Sequence, residues 1–186
     1  MAEVKIFKFG GASVKNAAAI KNVGEILKKY PKQKLLVNVS AINKTTNALE
    51  EIVDLGFRKD SYLKSLDQIV DFHNDIILSL FGPNHLLFAY MVEWRNQIID
   101  QLKKPSPRDE MYDQVVSMGE IISSKIVYET IKSEGIVTEW IDAKNFIFAS
   151  YSIELIIVIE QPTIMMIPSS SRQRIQYCIA SAITFD

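Results

Sequence analysis

The sequence has 186 residues, 48% of them hydrophobic, which is long enough to bury one sizeable core and close to the usual size of a single domain. Its formal net charge is -1, so the composition excludes both the basic field that holds nucleic acid and the acidic excess of a solvated tail. A lone cysteine, a start without a signal-peptide pattern and the lack of about 18 uninterrupted apolar residues predict a soluble, cytoplasmic protein with small-molecule partners and no membrane contact.

The first part of the chain alternates between strand and helix patterns. Residues 4–9 are short, apolar and β-branched or aromatic, and a glycine pair follows them, which predicts a strand and a tight turn. Residues 15–30 carry apolar side chains at helical spacing, residues 34–40 form a second apolar run, and residues 49–56 return to helical spacing. This alternation predicts a parallel sheet with crossover helices.

The middle of the chain is predominantly helical. Residues 61–104 show two helical patterns separated by Gly-Pro, which predicts an inserted helical hairpin. A proline-containing loop precedes a helix predicted over residues 112–134, with Gly135 as its left-handed cap, and residues 136–141 form a third strand. We therefore predict a three-layer α/β fold with a mainly parallel sheet and helices on both faces.

The composition changes after residue 144. The last 42 residues contain ten isoleucines, five charged side chains and no glycine. Residues 152–160 and 163–167 are predicted strands, and residues 172–183 a short helix or strand. The predicted organisation is an amino-terminal lobe over residues 1–148 and an unassigned apolar tail over residues 149–186, for which out-of-frame translation is one explanation.

Three segments carry residue types suited to chemistry. In the first, Gly10 and Gly11 let backbone N–H groups approach an anion, and the following helix start adds its dipole. Lys8 shares a strand face with Val4 and Ile6, so we expect it to be half-buried and to neutralise a phosphate. The alternative is a plain Gly-Gly turn with a lysine whose charged end reaches solvent.

The second and third segments could hold a small polar substrate. Ser40 and the hydroxyls of Thr45 and Thr46 follow the second strand, where ligands of α/β sheets collect, although helix capping explains the threonines equally well. Gly119 weakens a helix unless something approaches it closely, and Glu120 beside it could bind an ammonium or be a surface glutamate. The histidines and the cysteine show no spacing typical of a metal site.

Taken together, four segments resemble the aspartate kinase family, a branch of the amino acid kinases. They read KFGGASV, SAINKTTNALEEI, SMGEIISSKI and WIDAKNFI, in the order that the family uses. The resemblance covers residues 4 to about 148 and implies roles for seven positions. ATP phosphates would be bound by Lys8, Phe9, Gly10, Gly11 and Ser40, with Lys8 also catalytic, and aspartate by Thr46 and Glu120.

The resemblance implies the ATP-dependent phosphorylation of the L-aspartate side chain to 4-phospho-L-aspartate, the first step toward lysine, threonine and methionine. Mg²⁺ would arrive with ATP rather than on protein ligands, and homo-oligomer formation is left open. Ala12 replaces a hydroxyl and Lys144 an arginine of the family pattern, and its later glycine-rich Leu-Gly-Arg segment is missing, since no glycine follows Gly135. The alternative is an inactive half-domain relic or a partner-binding module.

Overall fold

The structure, a computed structural model, describes residues 4–142 together with the backbone of residues 164–168. The described strands form one four-stranded sheet in the order β1-β2-β4-β3, and every pair is parallel. The strands are β1 (Val4–Phe9), β2 (Lys34–Val39), β3 (Thr138–Trp140) and β4 (Ile164–Pro168).

The sheet confirms the predicted parallel pairing and extends it into the apolar tail. β1 lies beside β2 in the register Lys8↔Asn38 and Phe9↔Val39, as a helical crossover between them requires. β4 matches the strand predicted over residues 163–167 and lies between β2 and β3, so five residues of the tail belong to the sheet. The elements predicted over residues 152–160 and 172–183 lie outside the described residues.

Five α-helices lie between residues 17 and 133. They are α1 (Ala17–Leu27), α2 (Thr45–Phe57), α3 (Leu63–Phe81), α4 (Leu87–Lys103) and α5 (Arg108–Ser133). The helical hairpin over residues 61–104 is confirmed as α3 and α4. Asn16 starts α1 by accepting the Ala19 N–H on its side-chain oxygen at 2.9 Å. Gly135 has φ 79° after α5, which confirms its predicted left-handed conformation.

The apolar cluster that the described helices complete lies on the Phe9 face of the sheet. Phe9, Val37 and Val39 are less than 10% exposed and join a single apolar cluster with side chains from all five helices. Ile6, on the opposite face of β1, is 44% exposed, and Lys8 on that face is exposed as well. The expected half-burial of Lys8 is therefore wrong, because the Phe9 face of β1, and not its Lys8 face, packs against the described helices.

The hairpin packs onto α5 through a buried aromatic cluster. The indole N–H of Trp94 donates to the Met118 carbonyl at 2.9 Å, and the His73 ring lies 5.9 Å from the Trp94 ring. His73 Nδ1 pairs with the Ile69 carbonyl at 2.8 Å. Burial lowers the pKa of His73 from 6.5 to about 4, against the smaller opposing effect of that hydrogen bond. Across residues 4–142, none of the helices combines the length and apolarity that crossing a membrane requires.

Candidate functional site

The two glycines after β1 serve different purposes. A Cβ on Gly11 would lie 2.9 Å from the Ala41 carbonyl oxygen and 3.0 Å from that of Asn43. The segment between β2 and α2, residues 40–44, which we call the second loop, thus packs directly on this backbone. A Cβ on Gly10 would meet no atom within 4 Å. Gly11 is therefore required by packing, whereas Gly10 leaves the space that a ligand needs for close approach to the backbone.

Ser40 connects the first and third motifs. Its N–H donates to the Phe9 carbonyl at 2.9 Å, and its carbonyl accepts the Ser123 hydroxyl at 2.7 Å. Both serines are buried. Because these bonds are shielded from water, they hold the end of β1, the start of the second loop and the middle of α5 together.

Gly119 lies where α2 approaches α5. A Cβ there would lie 3.0 Å from Leu49 Cδ1, 3.2 Å from Thr45 Cγ2 and 3.4 Å from Ala41 Cβ. A glycine inside a helix was expected to have a close neighbour. At Gly119, that neighbour is the second loop together with the start of α2. Glu120 follows immediately, half-buried, with its Oε2 atom shielded from solvent. It is not the surface glutamate of the alternative interpretation.

The threonines of the second motif do not cap α2. Lys44 occupies the cap position and makes no capping hydrogen bond through its side chain. Thr45 is buried, and its hydroxyl donates to the Ile42 carbonyl at 2.6 Å. The capping interpretation is therefore wrong, since the Thr45 hydroxyl serves the preceding turn. Thr46 is half-buried one residue further along.

Phe9 and Lys8 point to opposite faces of β1. The Phe9 ring is 7% exposed and belongs to the core, so only its backbone can contribute to a site. Lys8 is exposed and lies in register with Asn38 of β2. The described contacts thus bring the loops of the first two motifs and the α5 segment of the third motif together at the carboxyl ends of the strands, where ligands of α/β sheets collect. That the side chains of Lys8, Thr46 and Glu120 line one cleft stays a prediction.

The fourth motif packs against the carboxyl-terminal end of the third motif on α5. The Trp140 indole N–H donates to the Ser124 hydroxyl at 3.0 Å, and the Lys125 ammonium lies 3.5 Å from the Trp140 ring centroid. Burial lowers the pKa of Lys125, against the smaller opposing effects of Glu129 and Asp142. Lys144 lies outside the described residues.

Three residues of this region escaped the sequence reasoning: Ser123, Lys125 and Asn38. No sequence pattern could have singled out Ser123, because its hydrogen-bond partner is a backbone carbonyl 83 positions away. Lys125 follows two serines and carries no sequence signal either. Asn38 did carry one, because it is a polar side chain inside an otherwise apolar strand, which often marks a position with a specific partner.

Comparison with known proteins identifies the family to which this arrangement belongs. The profile of the amino acid kinase family matches residues 3–180. The chain belongs to the amino acid kinase family. The match runs past residue 148 and through most of the apolar tail.

Curated relatives are aspartokinases at low identity. Aspartokinase 1, chloroplastic, of Arabidopsis thaliana is 28% identical over 144 residues, covering 74% of this chain and 25% of that protein. Bifunctional aspartokinase/homoserine dehydrogenase 2 of Escherichia coli strain K12 is 24% identical over 149 residues, covering 78% of this chain and 18% of that protein. The chain thus spans about a quarter or less of the length of these relatives.

Solved aspartokinases have the same fold. Escherichia coli aspartokinase III in complex with aspartate and ADP matches with a TM-score of 0.66 and 23% identity, over 77% of this chain and 32% of that one. Clostridium acetobutylicum aspartate kinase matches with a TM-score of 0.60 and 19% identity, over 76% and 31%. These matches confirm the predicted fold class, of which the chain represents part, and the curated relatives confirm the resemblance to aspartate kinases.

Proposed function

We propose that this chain supplies the phosphate-binding and aspartate-binding part of an aspartate kinase active site. The observation that carries the proposal is the hydrogen-bonded junction at Ser40, which joins the loop after β1 to α5 through Phe9 and Ser123. Three motifs far apart in sequence therefore meet at the ligand-binding edge of a parallel sheet. The aspartokinase relatives support aspartate as the acceptor and ATP as the donor.

The proposed roles follow from the chemistry of phosphoryl transfer. The N–H groups at Gly10 and Gly11 and the nearby Ser40 bind the ATP phosphates, and the Lys8 ammonium neutralises charge that develops on the transferring group. Glu120 binds the α-ammonium of aspartate, and Thr46 hydrogen-bonds to the same substrate. These residues act by positioning two anions that would otherwise repel each other.

The proposed reaction needs no general base. An oxygen of the ionised aspartate side chain attacks the γ-phosphorus of ATP, a new P–O bond forms, and the bond to the β-phosphate oxygen breaks. ADP leaves with that electron pair, and the product is 4-phospho-L-aspartate. Magnesium enters as part of the substrate Mg-ATP, and among the described residues no three His, Cys, Asp or Glu side chains gather as a metal-binding group.

We further propose that the 186-residue chain by itself has little or no kinase activity. It spans 25% of the first Arabidopsis aspartokinase and 32% of the Escherichia coli structure. A misplacement of about 1 Å costs on the order of 100-fold in rate, so contacts supplied by the remainder of such an enzyme have a large effect. An inactive half-domain or a partner-binding module is the rival interpretation. The biosynthetic role, the cytoplasmic setting and any homo-oligomer belong to this proposal as well.

Nucleotide binding separates the two interpretations. Titration calorimetry of the chain with the Mg²⁺ complex of a non-hydrolysable ATP analogue, which keeps the γ-phosphate, should give binding that Lys8→Met weakens about tenfold or more, because one charge-assisted contact to phosphate is lost. Lys21→Met is the matched control, since Lys21 is an exposed lysine on α1 away from the motifs. If neither the analogue complex nor Mg-ADP binds, the kinase proposal fails and the rival stands.

Turnover tests the completeness of the site. The purified chain with L-aspartate and Mg-ATP should release ADP no faster than the Lys8→Met variant. Release at about 1 per second or faster would be ordinary enzyme turnover and would show that the tail completes the site.

A further inference from the structure

Asn38 is a polar residue in a strand that is otherwise built for burial. Its neighbours Leu35, Leu36, Val37 and Val39 are each no more than 5% exposed. The Asn38 side-chain oxygen is buried and accepts no hydrogen bond from any residue in the described ranges. A buried amide oxygen without a donor costs on the order of 1–3 kcal/mol, and such a group calls for an explanation.

The nearest cation in the sheet is Lys8. Lys8 and Asn38 are register partners in the parallel pair of β1 and β2, so their side chains leave the same face of the sheet. Neighbouring strands lie about 4.8 Å apart, which a lysine side chain spans by rotation about its own bonds. Lys8 is exposed and therefore able to change rotamer on a fast timescale.

The two side chains are also chemically complementary. The Asn38 oxygen is only an acceptor, and the Lys8 ammonium is only a donor, with three N–H groups. One of these can bond to Asn38 while the others remain directed to an anion. A lysine held in this way loses less conformational freedom when it binds phosphate, which raises affinity without any new contact to the ligand.

We propose that Asn38 is a positioning residue for Lys8, whose ammonium bonds to the Asn38 side-chain oxygen and is thereby directed at the phosphate. The exposed lysine forms this bond part of the time in the free chain and continuously when an anion is bound. The effect of Asn38 on nucleotide binding rests on the proposed function, whereas the pairing of Asn38 with Lys8 does not. The two claims can therefore fail separately.

A double-mutant cycle on the affinity for the same Mg²⁺ complex of a non-hydrolysable ATP analogue tests the functional part. Asn38→Leu keeps the shape of the side chain and removes its oxygen, so it should weaken binding about fivefold to tenfold in the wild-type background. In the Lys8→Met background the same change should alter affinity less than about twofold, because the residue acts through Lys8. Asn22→Leu, an exposed asparagine on α1, is the matched control. An equal loss in both backgrounds contradicts the proposal.

Lysine acetylation tests the pairing without any nucleotide. With limiting acetic anhydride and mass spectrometry of the peptides, the rate at Lys8 relative to exposed Lys21 should rise at least about twofold in Asn38→Leu. Asn38→Asp keeps the acceptor and adds charge, so it should slow the reaction below the wild-type rate. Equal rates in all three proteins overturn the pairing, even if the chain binds no nucleotide. A merely structural Asn38 predicts that equality, together with an unchanged or higher stability of Asn38→Leu.

Discussion

The loops at the carboxyl ends of β1 and β2 and the α3–α4 hairpin bury their polar groups in different ways. In the loop after β2, the carbonyls of Ile42 and Ser40 accept the hydroxyls of Thr45 and Ser123 at 2.6 and 2.7 Å. In the hairpin, His73 is fully buried, and its Nε2 atom finds no partner among the described residues. Hydrogen bonds thus fix the geometry of the loops, whereas apolar packing holds the hairpin in spite of a buried imidazole.

The largest expected effect concerns the hairpin: acid should lower the free energy of unfolding through the buried His73. Because the folded state holds the pKa of His73 at about 4, the unfolded chain takes up a proton below about pH 6.5 and the folded chain does not. The stability from this site is complete above pH 6.5 and is lost as the pH falls toward 4. The expected loss at pH 4 is about 3 kcal/mol, from about 1.36 kcal/mol per pKa unit.

Urea unfolding at several pH values measures this loss. His73→Gln provides the control, because it does not titrate, while the carboxylates that also titrate in acid are common to both proteins. The free energy of unfolding of the wild type should fall relative to the variant between pH 7 and pH 4. Parallel curves would mean that His73 is accessible to protons in the folded chain.

The second effect concerns the loop after β1. Gly11→Ala places a Cβ about 3 Å from two backbone carbonyl oxygens, and those atoms cannot move without displacing the second loop. A loss of about 2 kcal/mol is expected, as for other overpacked sites. Gly10→Ala meets open space, so its free energy of unfolding should change by less than about 0.5 kcal/mol. Urea unfolding measures the change in both variants. Equal losses of stability would contradict the conclusion that packing requires Gly11 but not Gly10.

The sequence predicted most of the fold because its signals are local. The apolar run over residues 4–9, the helical spacing between residues 61 and 104 and the glycine at residue 135 each constrain only a few neighbouring residues. Local signals do not predict the burial of Lys8. The alternation of side chains along β1 places Lys8 on one face of the strand, but which face the helices cover depends on contacts between distant elements.

The candidate site was predictable as a set of motifs but not as a geometry. Both glycines of the first motif suggested an approach of the ligand, yet the structure assigns Gly11 to a contact with Ala41 and Asn43. Likewise Thr45 fitted a cap by type and position, while its hydroxyl bonds to Ile42. In each case the deciding atom is a backbone carbonyl, which every residue carries and no pattern reveals.

The third effect tests the junction at Ser40. Ser123→Ala removes the buried donor to the Ser40 carbonyl and should lower the free energy of unfolding by about 1–1.5 kcal/mol. Ser133→Ala is the control, since it removes a hydroxyl that donates at the same 2.7 Å distance to Thr130 within its own helix. If Ser133→Ala lowers the free energy of unfolding as much as Ser123→Ala does, the junction at Ser40 contributes no more stability than a hydrogen bond within one helix.

The smallest effect is expected at a third glycine, in α1. Gly24 is buried against the carboxylate of Glu134, which also pairs with Lys28 at 3.0 Å. A Cβ at Gly24 would overlap that carboxylate. Here the obstructing atoms are the end of a flexible side chain, unlike the carbonyls that face Gly11, so Glu134 can rotate away.

Two opposing contributions then nearly cancel in Gly24→Ala. Alanine favours a helix interior over glycine by about 1 kcal/mol, and displacement of Glu134, which gives up its ion pair with Lys28, opposes this gain. The free energy of unfolding should therefore change by less than about 0.5 kcal/mol, measured by urea unfolding beside Gly11→Ala. Gly24→Ala in a Glu134→Ala background isolates the helical contribution, because no carboxylate remains to be displaced, and should be stabilising. A loss above about 2 kcal/mol in Gly24→Ala alone would mean that Glu134 is held as rigidly as the loop backbone, and the contrast between the two glycines would disappear.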